Sequence, residues 1–294
     1  MRLRPFVYHG VSSLPESLEL LERFGSEVKV LAGGTDLVLA MKEKRVLPKY
    51  VLDLTGLSEL DFVNQEDGVL RIGALTTHSS ISGHGLIRGS APALAEAAGL
   101  IGSLQIRNVA TIGGNLCNAS PAADSAPPLL AYGAQVTVVD TEGETGKPLE
   151  SFFTGPGATS LKPGQLLKEI VIELPKGRSA SCYHKLMRKK AVDLSLVGVA
   201  VMAELDEPGE KLVQAAVGLG GVAPTPIRAV QAEELLSGLS ISEALERVEE
   251  AARMAMEAAS PISDVRASAD YKREMVEVFT RRGLKKILAD LAGK

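Results

Sequence analysis

"IRNVATIGGNLCNASPAADSAP", Ile106 to Pro127, carries two adjacent glycines, Gly113 and Gly114, followed by a run of small residues. "VKVLAGGTDL", Val28 to Leu37, repeats the device upstream: a β-branched run, the pair Gly33 and Gly34, then Thr35 and Asp36. A glycine pair after a strand permits positive φ and lets backbone N–H groups approach an oxyanion with no Cβ in the way. A helix beginning at the loop adds its N-terminal dipole. Two such loops suit the two phosphates of one dinucleotide, gripped from opposite sides. The plainer reading is two tight turns, and the residues alone leave both open. Neither loop matches G-x-G-x-x-G or G-x-x-x-x-G-K-[ST], which argues against a Rossmann or P-loop site.

Outward from these loops the chain reads as mixed α and β. "SLPESLELLERFG" (Ser13 to Gly25) predicts a helix: Ser13 and Glu16 have capping-box spacing, Leu14, Leu18, Leu21 and Phe24 share a face, and Gly25 is the stop. "VKVLA" predicts a strand, and "DLVLAMKEK" opens a helix that Thr35 or Asp36 is placed to cap. "YVLDLTG", "GVLRIGALTT", "AQVTVVD" and "KEIVIELP" predict strands, and the Ala-rich "SAPALAEAAGLIG" predicts a helix leading into the second loop. After Pro175 the style changes. "SLVGVAVMAEL" and "KLVQAAVGLGGVA" predict paired strands around the turn "DEPGE", and two helices follow. In the first helix Ser240 and Glu243 set a capping box, with Leu245, Val248 and Ala252 on one face. The second, "DYKREMVEVFTRRGLKKILADLA", is expected to bend or break at Gly283.

With 294 residues, 45% hydrophobic and 23% charged, the chain is long enough for two domains and ample core. A net charge of -4, 4% aromatics and no Trp supply neither a basic footprint nor a stacking platform for nucleic acid. The two cysteines, Cys117 and Cys182, suit a reducing compartment and form no disulfide scaffold, iron–sulfur ligand set or structural zinc site. "MRLRPFVYHG" has no apolar signal-peptide region and no apolar run reaches a membrane span, so a cytoplasmic protein is expected.

His9, His78, His84 and His184 stand in no metal-ligand spacing and read as surface or hydrogen-bonded histidines. No G-x-S-x-G elbow occurs and Cys117 has no basic neighbour, so catalysis by protein side chains is unsupported and a cofactor is expected to do the chemistry. Asp124 in "PAADSAPPLL" reads either as a helix cap or as an acceptor for a ribose or ribityl hydroxyl. Lys185 in "CYHKLMRKK" reads either as one more surface charge or as a directed cation.

At "AGGTDL", "IRNVATIGGN" and "NASPAADSAPPLLAYGA" the chain resembles the FAD-binding medium subunit of the molybdenum hydroxylases, the xanthine dehydrogenase and aerobic carbon monoxide dehydrogenase family. "FFTGPGATSLKPGQLLKEIVIELP", with its F-F-x-G-P turn, continues the likeness, which runs from "FVYH" to the last helices. The resemblance implies an α+β fold: a FAD-binding domain of the vanillyl-alcohol-oxidase (PCMH) type in two subdomains over residues 1–176, then a small α+β C-terminal flavoprotein domain, a three-stranded sheet with helices, over residues 177–294. It implies FAD, bound noncovalently. By position it implies that Lys29, Val30, Leu31, Ala32, Gly33, Gly34, Thr35, Asp36 and Leu37, with Ala110, Thr111, Ile112, Gly113, Gly114 and Asn115, hold the diphosphate. Ile101, Asp124, Leu167 and Lys185 fall where related flavin domains contact FAD, Lys185 near the isoalloxazine, where an ammonium favours the reduced ring.

The resemblance also implies partners: a large subunit with molybdenum cofactor and a small subunit with two [2Fe–2S] clusters, in a hetero-oligomer, a dimer of heterotrimers. FAD then collects electrons from the clusters and passes them to NAD⁺, a quinone or another acceptor. Two departures narrow the branch. The cysteine count leaves no room for the cluster-bearing insertion of benzoyl-CoA reductases, and Leu194 follows Asp193 where carbon monoxide dehydrogenases have Tyr. The alternatives are a free-standing flavin oxidase or dehydrogenase of the same fold, and a non-enzymatic dinucleotide-binding module.

Overall fold

The structure, a computed structural model, describes residues 3–189 and 192–293. Its first sheet is parallel, in the order β1 (Val7–Gly10), β3 (Tyr50–Asp53), β2 (Val28–Leu31). Parallel neighbours need crossovers, and α1 (Leu14–Phe24) and α2 (Leu37–Lys42) supply them. Leu18 and Leu21 of α1 pack on Val28, Leu52 and Leu54. Ser13 caps α1 through the Glu16 N–H, but the Glu16 carboxylate binds the N–H and hydroxyl of Ser12, so the expected box is shifted by one residue. Gly25, at φ 52°, ends the helix as expected. α2 starts after Asp36 with no side-chain capping bond, so neither Thr35 nor Asp36 plays the expected cap.

The second sheet is antiparallel: β4 (Val63–Glu66), β5 (Val69–Gly73), β10 (Leu166–Glu173), β6 (Gln135–Asp140), β7 (Gly143–Pro148). A small hairpin, β8 (Phe153–Gly155) and β9 (Ala158–Thr159), precedes β10. Between β5 and β6 run six short helices: α3 (His78–Gly83), α4 (Gly85–Ser90), α5 (Pro92–Gly99), α6 (Leu104–Arg107), α7 (Ile112–Cys117) and α8 (Ala126–Ala131). Alternate residues of the strands, Leu70 and Ile72, Val136 and Val138, Ile170 and Ile172, face inward onto Leu94, Ile112, Leu116 and Leu129 of these helices.

The third sheet holds β11 (Ser179–Leu186), β12 (Val197–Leu205), β13 (Leu212–Gly220) and β14 (Ile227–Arg228), three long strands as expected plus a two-residue fourth. β12 and β13 pair around the predicted turn. Both faces of this sheet are covered, which is why β12 and β13 read as near-continuous apolar runs. Val197, Val199, Val201, Ala203 and Leu205 face α9 (Val230–Leu236), α10 (Ile241–Ala258) and α11 (Ala269–Leu291). Ala200, Met202 and Ala216 belong instead to the core of the second sheet and its helices. There α8 lies so close that a Cβ on Gly218 would stand 2.0 Å from the Pro127 carbonyl oxygen. One apolar core therefore continues from residues before 176 into strands after 177.

The capping box of α10 forms in both halves at Ser240 and Glu243. Its buried face is Ala244, Val248, Ala251, Ala252 and Ala255, with Leu245 at the exposed margin of the apolar stripe. α11 runs unbroken through Gly283, so the expected interruption does not occur. A Cβ there would lie 2.7 Å from Val201 Cγ2 and 3.5 Å from Cys182 Sγ, so the glycine thins the helix where it rests on the sheet.

Candidate functional site

The two glycine-pair loops lie against each other. A Cβ on Gly33 would sit 1.9 Å from the Val109 carbonyl oxygen and 2.8 Å from Ala110 Cα, so only glycine fits at this crossing. The second loop is pinned from beneath. Ala110 O accepts the His78 N–H (3.0 Å), while Ile112 N–H donates to Thr76 O (3.0 Å) and Gly113 N–H to Ala74 O (2.9 Å). Thr111 caps α7, taking the Gly114 N–H on its hydroxyl at 3.1 Å and the Asn115 N–H on its carbonyl at 3.0 Å.

The first loop is different. Among the described residues, no protein acceptor takes the N–H groups of Gly33, Gly34, Thr35 or Asp36. Gly34 sits at φ 69°, and Gly33, Gly34 and Thr35 are half-buried. N–H groups without a protein acceptor at a solvent-reachable turn are free to bond a ligand in place of water. The two loops differ in this respect: N–H groups without protein acceptors belong to the first, and those of Ile112 to Asn115 are bound inside the protein. Lys29 and Val30 are exposed on the edge strand β2, Leu31 and Ala32 lead into the loop, and Leu37 opens α2.

A second cluster gathers around Asp124, in the connection between α7 and α8. Its Oδ1 accepts the Tyr183 hydroxyl at 2.7 Å, and its Oδ2 accepts Lys185 Nζ at 2.8 Å. Lys185 Nζ also donates to Leu100 O (3.0 Å), one residue before Ile101. Arg107 donates to the carbonyls of Ile101 (3.0 Å) and Gly102 (3.3 Å), and Ser125 Oγ donates to Asn115 Oδ1 (2.6 Å), which ties this cluster to the second glycine loop. Both bland readings fail here. Asp124 caps no helix, and the Lys185 side chain is 1% exposed. Burial raises the Asp124 carboxyl above the usual carboxylate range, while the Lys185 ammonium and the Tyr183 hydroxyl oppose that rise.

Lys185 is also not a free ammonium. Paired with Asp124, it presents its surroundings with a dipole rather than a net charge, a weaker pull on a reduced ring than a lone cation exerts. Leu167 stands apart from these polar contacts. It is buried in β10, beside a bulge that separates it from Glu169 in the pairing with β6. A cleft of about 720 Å³, lined by Arg88, Glu96, Leu100, Tyr183 and Lys286 among others, contains none of the expected site residues, though Leu100 and Tyr183 join it to the Asp124 cluster.

Tyr183 and the Leu100 carbonyl escaped the reading of the sequence. The signal lay in alternation: taken as a strand, "SASCYHKL" puts Ser181, Tyr183 and Lys185 on one face and Cys182 and His184 on the other. His78 is also a correction. It is fully buried, neither ring nitrogen has a partner among the described residues, and burial, aided by the Arg107 charge, pushes its pKa down to about 4.

Comparison with known proteins bears on the whole chain. The family profile described as "FAD binding domain in molybdopterin dehydrogenase" matches residues 4–176, and that described as "CO dehydrogenase flavoprotein C-terminal domain" matches residues 181–287. The xanthine dehydrogenase FAD-binding subunit of Escherichia coli O157:H7 is 32% identical over 289 residues, covering 98% of this chain and 97% of its own. The nicotinate dehydrogenase FAD-subunit of Eubacterium barkeri is 30% identical over 99% of both chains. Among solved structures, a chain of carbon monoxide dehydrogenase from Hydrogenophaga pseudoflava superposes with a TM-score of 0.92 at 32% identity, covering 98% of this chain and 99% of that one. With the paired glycine loops, the Asp124 cluster and three sheets in that order, the chain belongs to the family of FAD-binding flavoprotein subunits of the molybdopterin dehydrogenases.

Proposed function

We propose that this chain is the electron-transfer flavoprotein of a molybdenum hydroxylase, taking electrons from the [2Fe–2S] clusters of a small subunit and delivering them to an external acceptor. The observation that carries the reading is the set of acceptorless, half-buried amides at Gly33, Gly34 and Thr35, packed against a second glycine loop. Bare N–H groups in a turn suit a diphosphate, and a bound cofactor then supplies the redox chemistry. FAD, when bound, takes up electrons singly and releases them as a pair.

In this reading the segment from Lys29 to Leu37 binds the diphosphate by its free amides. Ala110 to Asn115 supply a surface without bulky side chains, and Asp124 accepts a hydroxyl from the cofactor's sugar or ribityl portion. Ile101 and Lys185 line the same region, and Leu167 packs beneath it. Residues 1–176 and 177–294 form the two units. The partners are a molybdenum-cofactor large subunit and the iron–sulfur small subunit, assembled as a dimer of heterotrimers. NAD⁺ or a quinone is the acceptor. Leu194, 66% exposed, stands where carbon monoxide dehydrogenases are expected to have Tyr, so we assign the chain to another branch of the family. Among the described residues no helix is long and apolar enough to cross a membrane. We place the complex in the cytoplasm on its two unpaired thiols, Cys117 and Cys182.

Purification from the native host tests this. The expected result is a yellow complex with one FAD per chain, and with molybdenum and iron in the same fraction. A chain that runs alone and colourless, with neither metal associated, would refute the assignment.

A further inference from the structure

We propose that Tyr183 is a positioning residue for the FAD site: its hydroxyl holds Asp124 as a carboxylate and occupies Oδ1 from the side of the third sheet, leaving the remaining lone pairs to a cofactor hydroxyl. The inference rests on the function proposed above and assigns a role to a residue outside the expected site.

Three observations place Tyr183 there. Its hydroxyl donates to Asp124 Oδ1 at 2.7 Å, the oxygen that Lys185 does not use. Its backbone N–H donates to Glu96 Oε2 at 2.8 Å, which fixes β11 against α5. Its ring lies over Gly198, where a Cβ would stand 2.5 Å from the phenolic oxygen, so β12 leaves room for this hydroxyl and for no larger neighbour. A carboxylate oxygen accepts more than one hydrogen bond, so Asp124 keeps capacity for a ligand after both contacts are made.

The charged and titratable groups around the pair are few. Lys185 shares β11 and pairs with Asp124 directly; Glu96 of α5 faces the Tyr183 backbone; Lys286 of α11 lies 3.5 Å from Glu96. A hydrogen bond given to a carboxylate favours its charged form, so removal of the Tyr183 hydroxyl makes Asp124 easier to protonate. A protonated Asp124 has a donor where the ligand needs an acceptor.

The experiment uses the full chain, stripped of flavin and titrated with FAD across a range of pH. Tyr183→Phe keeps the ring in its seat on Gly198 and removes only the hydroxyl. The expected result is a Kd for FAD weakened by about tenfold at the acid end of the profile, where Asp124 protonates first in the variant. The acid side of the affinity profile should also move to higher pH, which a merely structural role for the ring would not produce. In an Asp124→Asn background the same substitution should change neither Kd nor profile. Equal Kd values and coincident profiles for folded wild type and Tyr183→Phe would overturn the proposal, as would an undiminished effect in the Asp124→Asn background. A wild-type chain that takes up no FAD at any pH would instead overturn the function on which the proposal stands.

Discussion

The imidazole of His78 is enclosed with no hydrogen-bond partner for either ring nitrogen, so the fold carries it neutral and resists its protonation. With its pKa pushed from 6.5 down to about 4, the unfolded chain binds the proton first as pH falls. The contribution is therefore fully present above pH 6.5 and is lost on acidification toward pH 4. It amounts to about 3 kcal/mol in total. Urea unfolding of wild type and His78→Phe between pH 7 and 4 should show a shallower loss of stability in the variant by about that amount. Identical pH slopes would assign the effect to another group. At this scale the sequence marked Asp124 and Lys185 but left each with a bland alternative. It could not show that the two meet across 61 residues of chain, and only that meeting turns a surface lysine into a buried partner. His78 was misread for the same reason, because burial is a property of the neighbours.

At the scale of single elements, local chemistry was legible and tertiary chemistry was not. Ser240 and Glu243 announce the start of α10 by a reciprocal pair three residues apart, and the pair forms. Gly283 in α11 reads locally as a helix breaker, yet the helix passes through it because the cause of the glycine is Val201 on another element. Two effects of opposite sign compete in Gly283→Ala. Helix propensity alone would add about 1 kcal/mol of stability. A methyl placed 2.7 Å from Val201 Cγ2 overpacks a fully buried contact, at a cost of about 1–3 kcal/mol. The overpacking should win, so the urea midpoint of Gly283→Ala is expected below that of wild type. A higher midpoint would show that α11 can lift off the sheet at little cost.

Across the whole molecule apolar patterning located β2, β3, β5, β6, β10, β12 and β13 but missed β1, β4, β7, β8, β9, β11 and β14, and the change of style after Pro175 located the third sheet. What the sequence withheld was that this sheet is covered on both sides, by α9 to α11 on one face and by α5 and α8 on the other. The unbroken apolar run "SLVGVAVMAEL" is the trace of that arrangement. Because Ala200, Met202 and Ala216 complete the core begun by Leu94 and Leu129, the first unit does not close this core without strands of the second. The chain is accordingly expected to unfold in one cooperative step, with far-ultraviolet circular dichroism and tyrosine fluorescence giving coincident urea transitions. Two resolved transitions would mean that the units fold independently and that the shared layer contributes little.

The thiol of Cys182, sealed beneath Gly283, carries a last consequence. It is 1% exposed, and burial pushes its pKa up to about 12, so in the closed protein it is neither ionised nor within reach of a reagent. Alkylation must wait for α11 to part from the sheet. Cys182 thus works as an internal timer, and the rate at which it is labelled counts how often the roof of the third sheet breathes.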